Sequence, residues 1–241
     1  MKEYDGDSMS TRVEIRALPP IGVVDVWWLR LPRAGAFEAE LNGSEQKRAS
    51  EFLDARARAD FAATRATLRG LLASYLKVSP ETIELLTGPQ GKPYLNPALT
   101  DLQFNVSHSG DRAVFAVTQK WEVGVDVEAF GRRSNLLGIA RRFFAPLELA
   151  AVEAAPPEKQ ERVFLNCWSR KEAVLKAVGA GLSIPLAAFD VVSQPGTIVL
   201  HAEVPLLTRS DWSLRDLETG GDYAAALALA GPLTEVHTYD L

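Results

Sequence analysis

The segment that most constrains the fold is residues 158–178, where apolar residues recur at the spacing of a helix packed against a core. Within it, Glu172 and Lys176 lie four residues apart and therefore share one face of the predicted helix. Charged groups on a well-buried helix are costly to desolvate unless a partner is present. The pattern therefore indicates that this face meets other polar groups, although Glu-then-Lys is also a common stabilising helix pair.

A strand is predicted upstream, at residues 121–128. Three valines alternate there with Asp126 and Glu128, so the valines face one side and the two carboxylates the other. Two residues of strand span about 6.6 Å, which lets both carboxylates reach one cation. An Asp-x-Glu pair alone usually marks the wet face of a sheet. Together with Glu172 and Lys176, however, it would suit metal-assisted chemistry on a phosphate.

Composition narrows the class of protein. A net charge of −5 argues against nucleic acid as the main partner, because proteins that bind the phosphate backbone carry a basic face. The single cysteine, Cys167, excludes an intrachain disulfide and a cysteine zinc site, and its apolar setting predicts a buried thiol. No apolar run spans a membrane and no signal-peptide core is seen, so the chain is predicted to be cytoplasmic. Residues 1–12 are polar and aperiodic and are predicted to be frayed.

The remaining patterns predict an α+β fold. A strand, helices and more strands follow one another before about residue 122 and again after it, which predicts two halves, 1–122 and 123–241. Strands are predicted at 23–31, 102–106, 113–118, 121–128, 189–192, 197–202, 212–217 and 223–229. Helices are predicted after Asn42 or Ser44 and at 60–76, 136–144, 146–153 and 158–178. Turns are predicted at 88–93 and 107–111, and a polar break at 131–134.

Three motifs acquire meaning through their order and spacing. They are Phe-Asn-Val-Ser-His-Ser at 104–109, Gly-Val-Asp-Val-Glu at 124–128 and Trp-Ser-x-Lys-Glu-Ala-x-x-Lys at 168–176. This combination resembles the 4'-phosphopantetheinyl transferase superfamily, and Gly-Lys-Pro at 91–93 matches a further element of that family. The match is closest to the long, surfactin-synthetase-activating branch, and it extends from about residue 44 to Leu186.

The resemblance implies an enzyme that transfers the 4'-phosphopantetheine arm of coenzyme A to a serine of an acyl or peptidyl carrier protein, releasing 3',5'-ADP. It also implies a monomer of two similar α+β halves related by a pseudo-twofold axis. Each half would hold a small, mostly antiparallel sheet packed by helices, with the active site in the cleft between them. Neither nucleic acid nor a membrane is an expected partner.

The resemblance also assigns roles to individual residues. Mg²⁺ is the implied metal, in keeping with its preference for oxygen ligands, and the residues that match its ligands are Asp126, Glu128 and Glu172. Glu172 also matches the proposed general base, acting directly or through a metal-bound water, and Lys176 matches a lysine that contacts the phosphates. Matches to coenzyme A contacts are Arg48, Arg65, Lys92, Ser107, His108 and Lys176.

Several alternatives stay open at this point. Clustered acids with a lysine would also suit a metal-dependent phosphodiesterase or nuclease, although the acidic charge counts against it. A relative that binds coenzyme A or a carrier without transfer is a third reading. The carrier's identity and the choice between Mg²⁺ and Mn²⁺ are open, and residues 141–144 are either a docking surface for the carrier or partly core.

Overall fold

The computed structural model describes residues 15–32, 37–131, 135–194, 197–202, 204–208 and 211–241. The prediction for residues 1–12 and most of the predicted polar break at 131–134 lie outside these ranges. In chain order the elements are β1 (Val23–Arg30), α1 (Gly43–Ser50), α2 (Ala55–Leu76), β2 (Leu86–Thr87), β3 (Pro93–Tyr94), β4 (Leu102–Ser109), β5 (Arg112–Gln119), β6 (Val123–Ala129), α3 (Leu136–Phe143), α4 (Pro146–Ala154), α5 (Pro157–Val178), β7 (Phe189–Gln194), β8 (Thr197–Ala202), β9 (Ser213–Asp216), β10 (Tyr223–Leu229) and β11 (Glu235–Asp240).

The strands form small sheets, and the predicted α+β class with mostly antiparallel sheets packed by helices is confirmed. One sheet has the order β11-β1-β5-β4 and another the order β6-β10-β9. The pairs β4–β5, β6–β10 and β9–β10 are antiparallel, whereas β1 and β11 run parallel. Because β1 and β11 come from opposite ends of the chain, the four-stranded sheet draws on both predicted halves. The division at residue 122 stays a prediction.

The chain forms two compact units whose boundaries differ from that division. The first contains the described residues up to Leu18 together with Arg30–Glu84, and the second contains Pro19–Leu29 together with Leu85–Leu241. In the first unit, Asn42 caps α1 by accepting from the backbone N–H of Glu45, and Asp54 caps α2 in the same way through Ala57. Buried Arg69 contacts Glu45 and donates to the carbonyl of Ile83 at 2.6 Å, which ties α1 to α2 and to the chain after it.

In the second unit, β6 and β10 are each covered on both faces. The valines of β6, as predicted, join a core cluster with residues of β1, β5 and β10. On β10, Ala224, Ala226 and Ala228 instead join the cluster built around α5, while the intervening residues face the valines. Because the residues of β10 that face α5 are alanines, the helix can approach the sheet closely. The position of α5 therefore fixes where its side chains lie relative to β6.

One sequence prediction needs correction, one strand was missed, and one open alternative is settled for a single residue. Ser107 and His108 lie within β4 rather than in the turn, which forms only at Gly110 and Asp111. The strand β11 was not predicted, because its strand-forming residues Val236, Thr238 and Tyr239 are interspersed with charged and polar ones. Phe144 is buried and stacks on Phe164 with ring centroids 4.9 Å apart, so it belongs to the core. Cys167 is buried, as predicted.

Candidate active site

The site begins where α5 crosses β6 at Gly124. A Cβ atom added to this glycine would lie 1.9 Å from the carbonyl oxygen of Ala173 and 2.5 Å from the backbone nitrogen of Ala177. The helix backbone thus rests directly on the strand backbone, which only glycine permits. Two residues further along the same strand face is Asp126, and the helix turn above carries Lys176. The glycine of the motif therefore explains why the aspartate and the lysine meet.

Asp126, Ser107 and Lys176 form a closed triangle of polar contacts. The ammonium of Lys176 lies 2.7 Å from Asp126 Oδ1 and donates to Ser107 Oγ, also at 2.7 Å. Ser107 in turn donates to Asp126 Oδ1 at 3.0 Å. Asp126 is only 4% exposed, whereas the Lys176 side chain is 30% exposed. The lysine therefore neutralises a buried carboxylate while part of its side chain stays open to solvent.

The second oxygen of Asp126 has a different environment. Oδ2 is buried and has no hydrogen-bond partner within the part of the chain that the structure describes. A buried carboxylate oxygen without a partner is costly, and such atoms commonly mark the place of a water or an ion. Across the described ranges, however, no group of three or more histidine, cysteine or acidic side chains is arranged to hold a metal. The ammonium of Lys176 contacts Oδ1 of Asp126, the other oxygen of the carboxylate.

Side chains of β4 complete the backbone hydrogen bonding of β6. Asn105 Oδ1 accepts from the backbone N–H of Val125 at 3.0 Å, Ser107 Oγ from that of Val127 at 3.4 Å, and Ser109 Oγ from that of Ala129 at 3.1 Å. Ser109 also donates to Glu128 at 3.4 Å. Sequence reasoning gave no role to Asn105 and Ser109. The signal that could have revealed them is the recurrence of polar residues at every second position, 105, 107 and 109.

A cavity of about 220 Å³ adjoins the triangle. Its lining includes Glu172 and Lys176 from α5, Asn105 and Val106 from β4, and residues 90–93 of the β2–β3 hairpin. The ammonium of Lys92 donates to the carbonyl oxygen of Ala177 at 2.6 Å and to that of Val123 at 3.3 Å. Burial lowers the pKa of Lys92 to about 8, against a smaller opposing effect of Glu122.

The other predicted site residues lie further from these contacts or in the other unit. His108 is exposed on β4, next to buried Ser107. Arg48 and Arg65 belong to the first unit, where exposed Arg48 pairs with Glu51 at 2.6 Å. Arg65 lies 3.8 Å from Glu45, and burial lowers its pKa. Their assignment to coenzyme A stays a prediction.

Lys171, the other lysine of the third motif, is fully buried. Its ammonium lies 2.8 Å from Glu148 of α4 and donates to the carbonyls of Leu186 and Phe189. Glu148 also accepts from the backbone N–H groups of Ala145 and Val191, both at 2.8 Å. The ammonium and both carboxylate oxygens of this pair therefore have partners, and the pair fixes α5 to α4 and β7. Lys171 therefore serves the fold rather than the cavity.

Fold and site together describe an α+β protein in which a buried carboxylate, a lysine and a glutamate-lined cavity meet on one helix–strand crossing. Comparison with known proteins gives this class an identity. Residues 122–228 match the 4'-phosphopantetheinyl transferase superfamily, and residues 33–120 match the family described as 4'-phosphopantetheinyl transferase, N-terminal.

Individual relatives agree with this match. The chain is 34% identical to the 4'-phosphopantetheinyl transferase HetI of Nostoc sp. over 80% of each chain. It is 32% identical to the 4'-phosphopantetheinyl transferase Sfp of Bacillus subtilis, over 68% of this chain and 71% of the relative. The chain belongs to the 4'-phosphopantetheinyl transferase superfamily. The predicted family and transferase activity are confirmed, and these two relatives support the predicted long branch.

Solved structures match a smaller part of the chain. The holo-[acyl-carrier-protein] synthase of Thermotoga maritima covers 46% of this chain and 62% of its own, at 20% identity and a TM-score of 0.40. A synthase–CoA complex from Chronobacterium ammoniagenes covers 45% of this chain and 95% of its own, at 22% identity and a TM-score of 0.36. The family assignment rests on the sequence comparisons. Among the described residues, no helix has the length and apolar character needed to cross a membrane.

Proposed function

We propose that this protein transfers the 4'-phosphopantetheine group of coenzyme A to a serine hydroxyl of a carrier protein. In this reaction the serine oxygen forms a bond to the β-phosphorus, the bond from that phosphorus to the bridging oxygen breaks, and 3',5'-ADP leaves. The hydroxyl proton must be removed and the charge on the departing diphosphate must be stabilised. The observation that carries the proposal is the Lys176–Asp126–Ser107 triangle beside a cavity, within motifs that belong to the family.

Lys176 is suited to stabilising the departing diphosphate. It is a cation held by Asp126 and Ser107 on one side, with 30% of its side chain exposed on the other. A pre-positioned charge needs little reorganisation when negative charge develops, which is the source of most electrostatic catalysis. We assign the removal of the serine proton to Glu172, acting directly or through a water molecule, because it lies one helix turn before Lys176 and lines the same cavity.

Mg²⁺ is the proposed cofactor. The donor set fits it, because Asp126, Glu128 and Glu172 offer carboxylate oxygens, and Asp126 has a buried oxygen without a partner among the described residues. These three residues would hold the ion, which when bound would neutralise charge on the diphosphate.

The coenzyme A contacts that we propose from the family resemblance are Ser107 and His108 on β4 and Lys176 on α5. Lys92 lines the cavity, but its ammonium already bonds two backbone carbonyls. The proposed second substrate is an acyl or peptidyl carrier protein. Arg141, Arg142 and Phe143 form the candidate docking surface that remains after Phe144 is assigned to the core. A monomer in the cytoplasm remains the expectation from sequence.

Intact-mass spectrometry tests the proposed function. An apo carrier protein incubated with this protein, coenzyme A and Mg²⁺ is expected to gain the mass of one phosphopantetheine group. EDTA and Glu172→Gln are each expected to abolish the gain. Glu158→Gln is the matched control, because Glu158 is exposed in the first turn of the same helix. Unmodified carrier with fatty-acid, polyketide and nonribosomal peptide carriers alike would contradict the proposal.

A further inference from the structure

Lys92 is directed toward backbone rather than toward the middle of the cavity. It follows the turn of the β2–β3 hairpin, where the backbone N–H of Gly88 donates to the carbonyl of Lys92 at 2.9 Å. From there its ammonium reaches two carbonyl oxygens on different elements, that of Ala177 at 2.6 Å and that of Val123 at 3.3 Å. An ammonium has three donors, so these contacts use most of its capacity.

The two carbonyls mark the ends of the two elements that build the site. Ala177 lies in the last turn of α5, directly after Lys176, and Val123 begins β6, three residues before Asp126. The carbonyls of a final helical turn lack partners within the helix and carry partial negative charge, so a cation there is favourable. Lys92 thus bonds the end of α5 to the start of β6.

Packing of the lysine stem agrees with this contact. Gly179 ends α5 in the left-handed conformation, with φ of +65°, and a Cβ atom there would lie 3.3 Å from Cδ of Lys92. The stem therefore packs closely against the helix end, and the hairpin, the helix end and the strand form one tight junction. The crossing at Gly124, next to Val123, belongs to the same junction.

We propose that Lys92 is a positioning residue, which sets the register of Lys176 on α5 against Asp126 on β6 by bonding the end of the helix to the start of the strand. This role differs from a direct contact between Lys92 and a phosphate of coenzyme A. The proposal rests on the proposed function, since the geometry that Lys92 maintains is that of the transfer site.

Steady-state kinetics of Lys92→Met separate the two roles. A positioning role predicts that kcat falls by about tenfold or more while KM for coenzyme A stays within about threefold. The reason is that misplacing Lys176 relative to Asp126 weakens stabilisation of the transition state rather than binding of coenzyme A. A direct phosphate contact raises KM for coenzyme A strongly, and this result would overturn the proposal. Lys159→Met is the control, because Lys159 is exposed near the start of the same helix.

A double-mutant cycle distinguishes a positioning role of Lys92 from a general loss of stability. If Lys92 acts through Lys176, Lys92→Met has little further effect on kcat in a protein that already carries Lys176→Met. Additive losses would overturn the proposal. If Lys92→Met does not fold, Lys92→Arg replaces it. The bulkier guanidinium keeps the positive charge but does not fit between the two carbonyls. A positioning role therefore predicts a lower kcat for Lys92→Arg, whereas a phosphate contact predicts an unchanged kcat.

Hydrogen exchange tests the contact without relying on activity. Faster exchange of the backbone amides in the last turn of α5 is expected in folded Lys92→Met, and unchanged exchange would contradict the proposal. Wild-type protein is assayed for transfer in parallel. Absence of transfer by the wild type would overturn the proposed function, whereas wild-type transfer with a raised KM in Lys92→Met would overturn only the role of Lys92.

Discussion

Two lysines of α5, five residues apart, each pair with a buried carboxylate, and their surroundings differ. Lys171 has no exposed surface, and its partner Glu148 is also bonded by two backbone N–H groups. Lys176 is 30% exposed, and its partner Asp126 keeps one buried oxygen without a partner among the described residues. A saturated ion pair fixes elements of the fold, whereas a pair with unused capacity beside a cavity is available to a substrate or an ion.

The comparison also explains why the two lysines cannot exchange roles. Around a helix, five residues correspond to about 140° of rotation, so the two side chains leave α5 in different directions. Lys171 meets α4 and the chain near β7, and Lys176 meets β6 and β4. The motif Trp-Ser-x-Lys-Glu-Ala-x-x-Lys therefore combines a structural lysine with a site lysine.

The largest effect is expected from Lys171→Met. Removing one partner leaves Glu148 buried without its counter-charge, which costs about 3–5 kcal/mol of unfolding free energy. Urea unfolding followed by circular dichroism measures the loss. Lys171→Met combined with Glu148→Leu should recover part of it. A loss below about 1 kcal/mol in the single variant would contradict the structural role of this pair.

Lys176→Met is expected to affect activity more than stability. Loss of a pre-positioned cation should lower kcat by about 100- to 1,000-fold. The unfolding free energy should fall by only about 1–2 kcal/mol, because the Lys176 side chain is 30% exposed and water can take the place of its ammonium beside Asp126. Transfer rates and urea unfolding of the same preparation measure both. A loss of stability equal to that of Lys171→Met would remove the distinction between the two pairs.

The smallest expected effect is the contribution of Lys92 to the pH dependence of the unfolding free energy. Burial lowers its pKa in the folded protein from 10.5 to about 8, so between these values the unfolded chain binds more protons than the folded one. Stability should therefore rise with pH in this window, by about 1 kcal/mol between about pH 7.5 and 9. Unfolding of wild type and Lys92→Met across this range measures the difference. Parallel pH profiles for the two proteins would contradict it.

Much of the site follows from local sequence pattern. Four-residue spacing placed Glu172 and Lys176 on one face of a helix, and strand alternation separated the valines of β6 from Asp126. Both are confirmed by the core cluster and by the shared cavity. These features depend only on the periodicity of side chains in helices and strands, which can be read from the order of the residues.

The features that the sequence did not predict depend on contacts between segments that are far apart in the chain. Lys171 meets Glu148 only because α4 folds back onto α5, and Lys92 meets Ala177 across 85 residues of chain. The parallel pairing of β11 with β1 likewise joins the two ends of the chain. Ser107 and His108 were assigned to a turn because glycine and aspartate follow them, whereas pairing with β5 extends the strand through Ser109.

The most direct test of the transfer site is the rate at which wild type and Asp126→Asn modify the same apo carrier protein, followed by intact mass. This substitution keeps the size of the side chain but removes the charge that holds Lys176. Wild type should add one phosphopantetheine group, and the folded variant should do so at least about 100-fold more slowly. Equal rates for the two proteins would contradict the assignment of the Lys176–Asp126 pair as the transfer site.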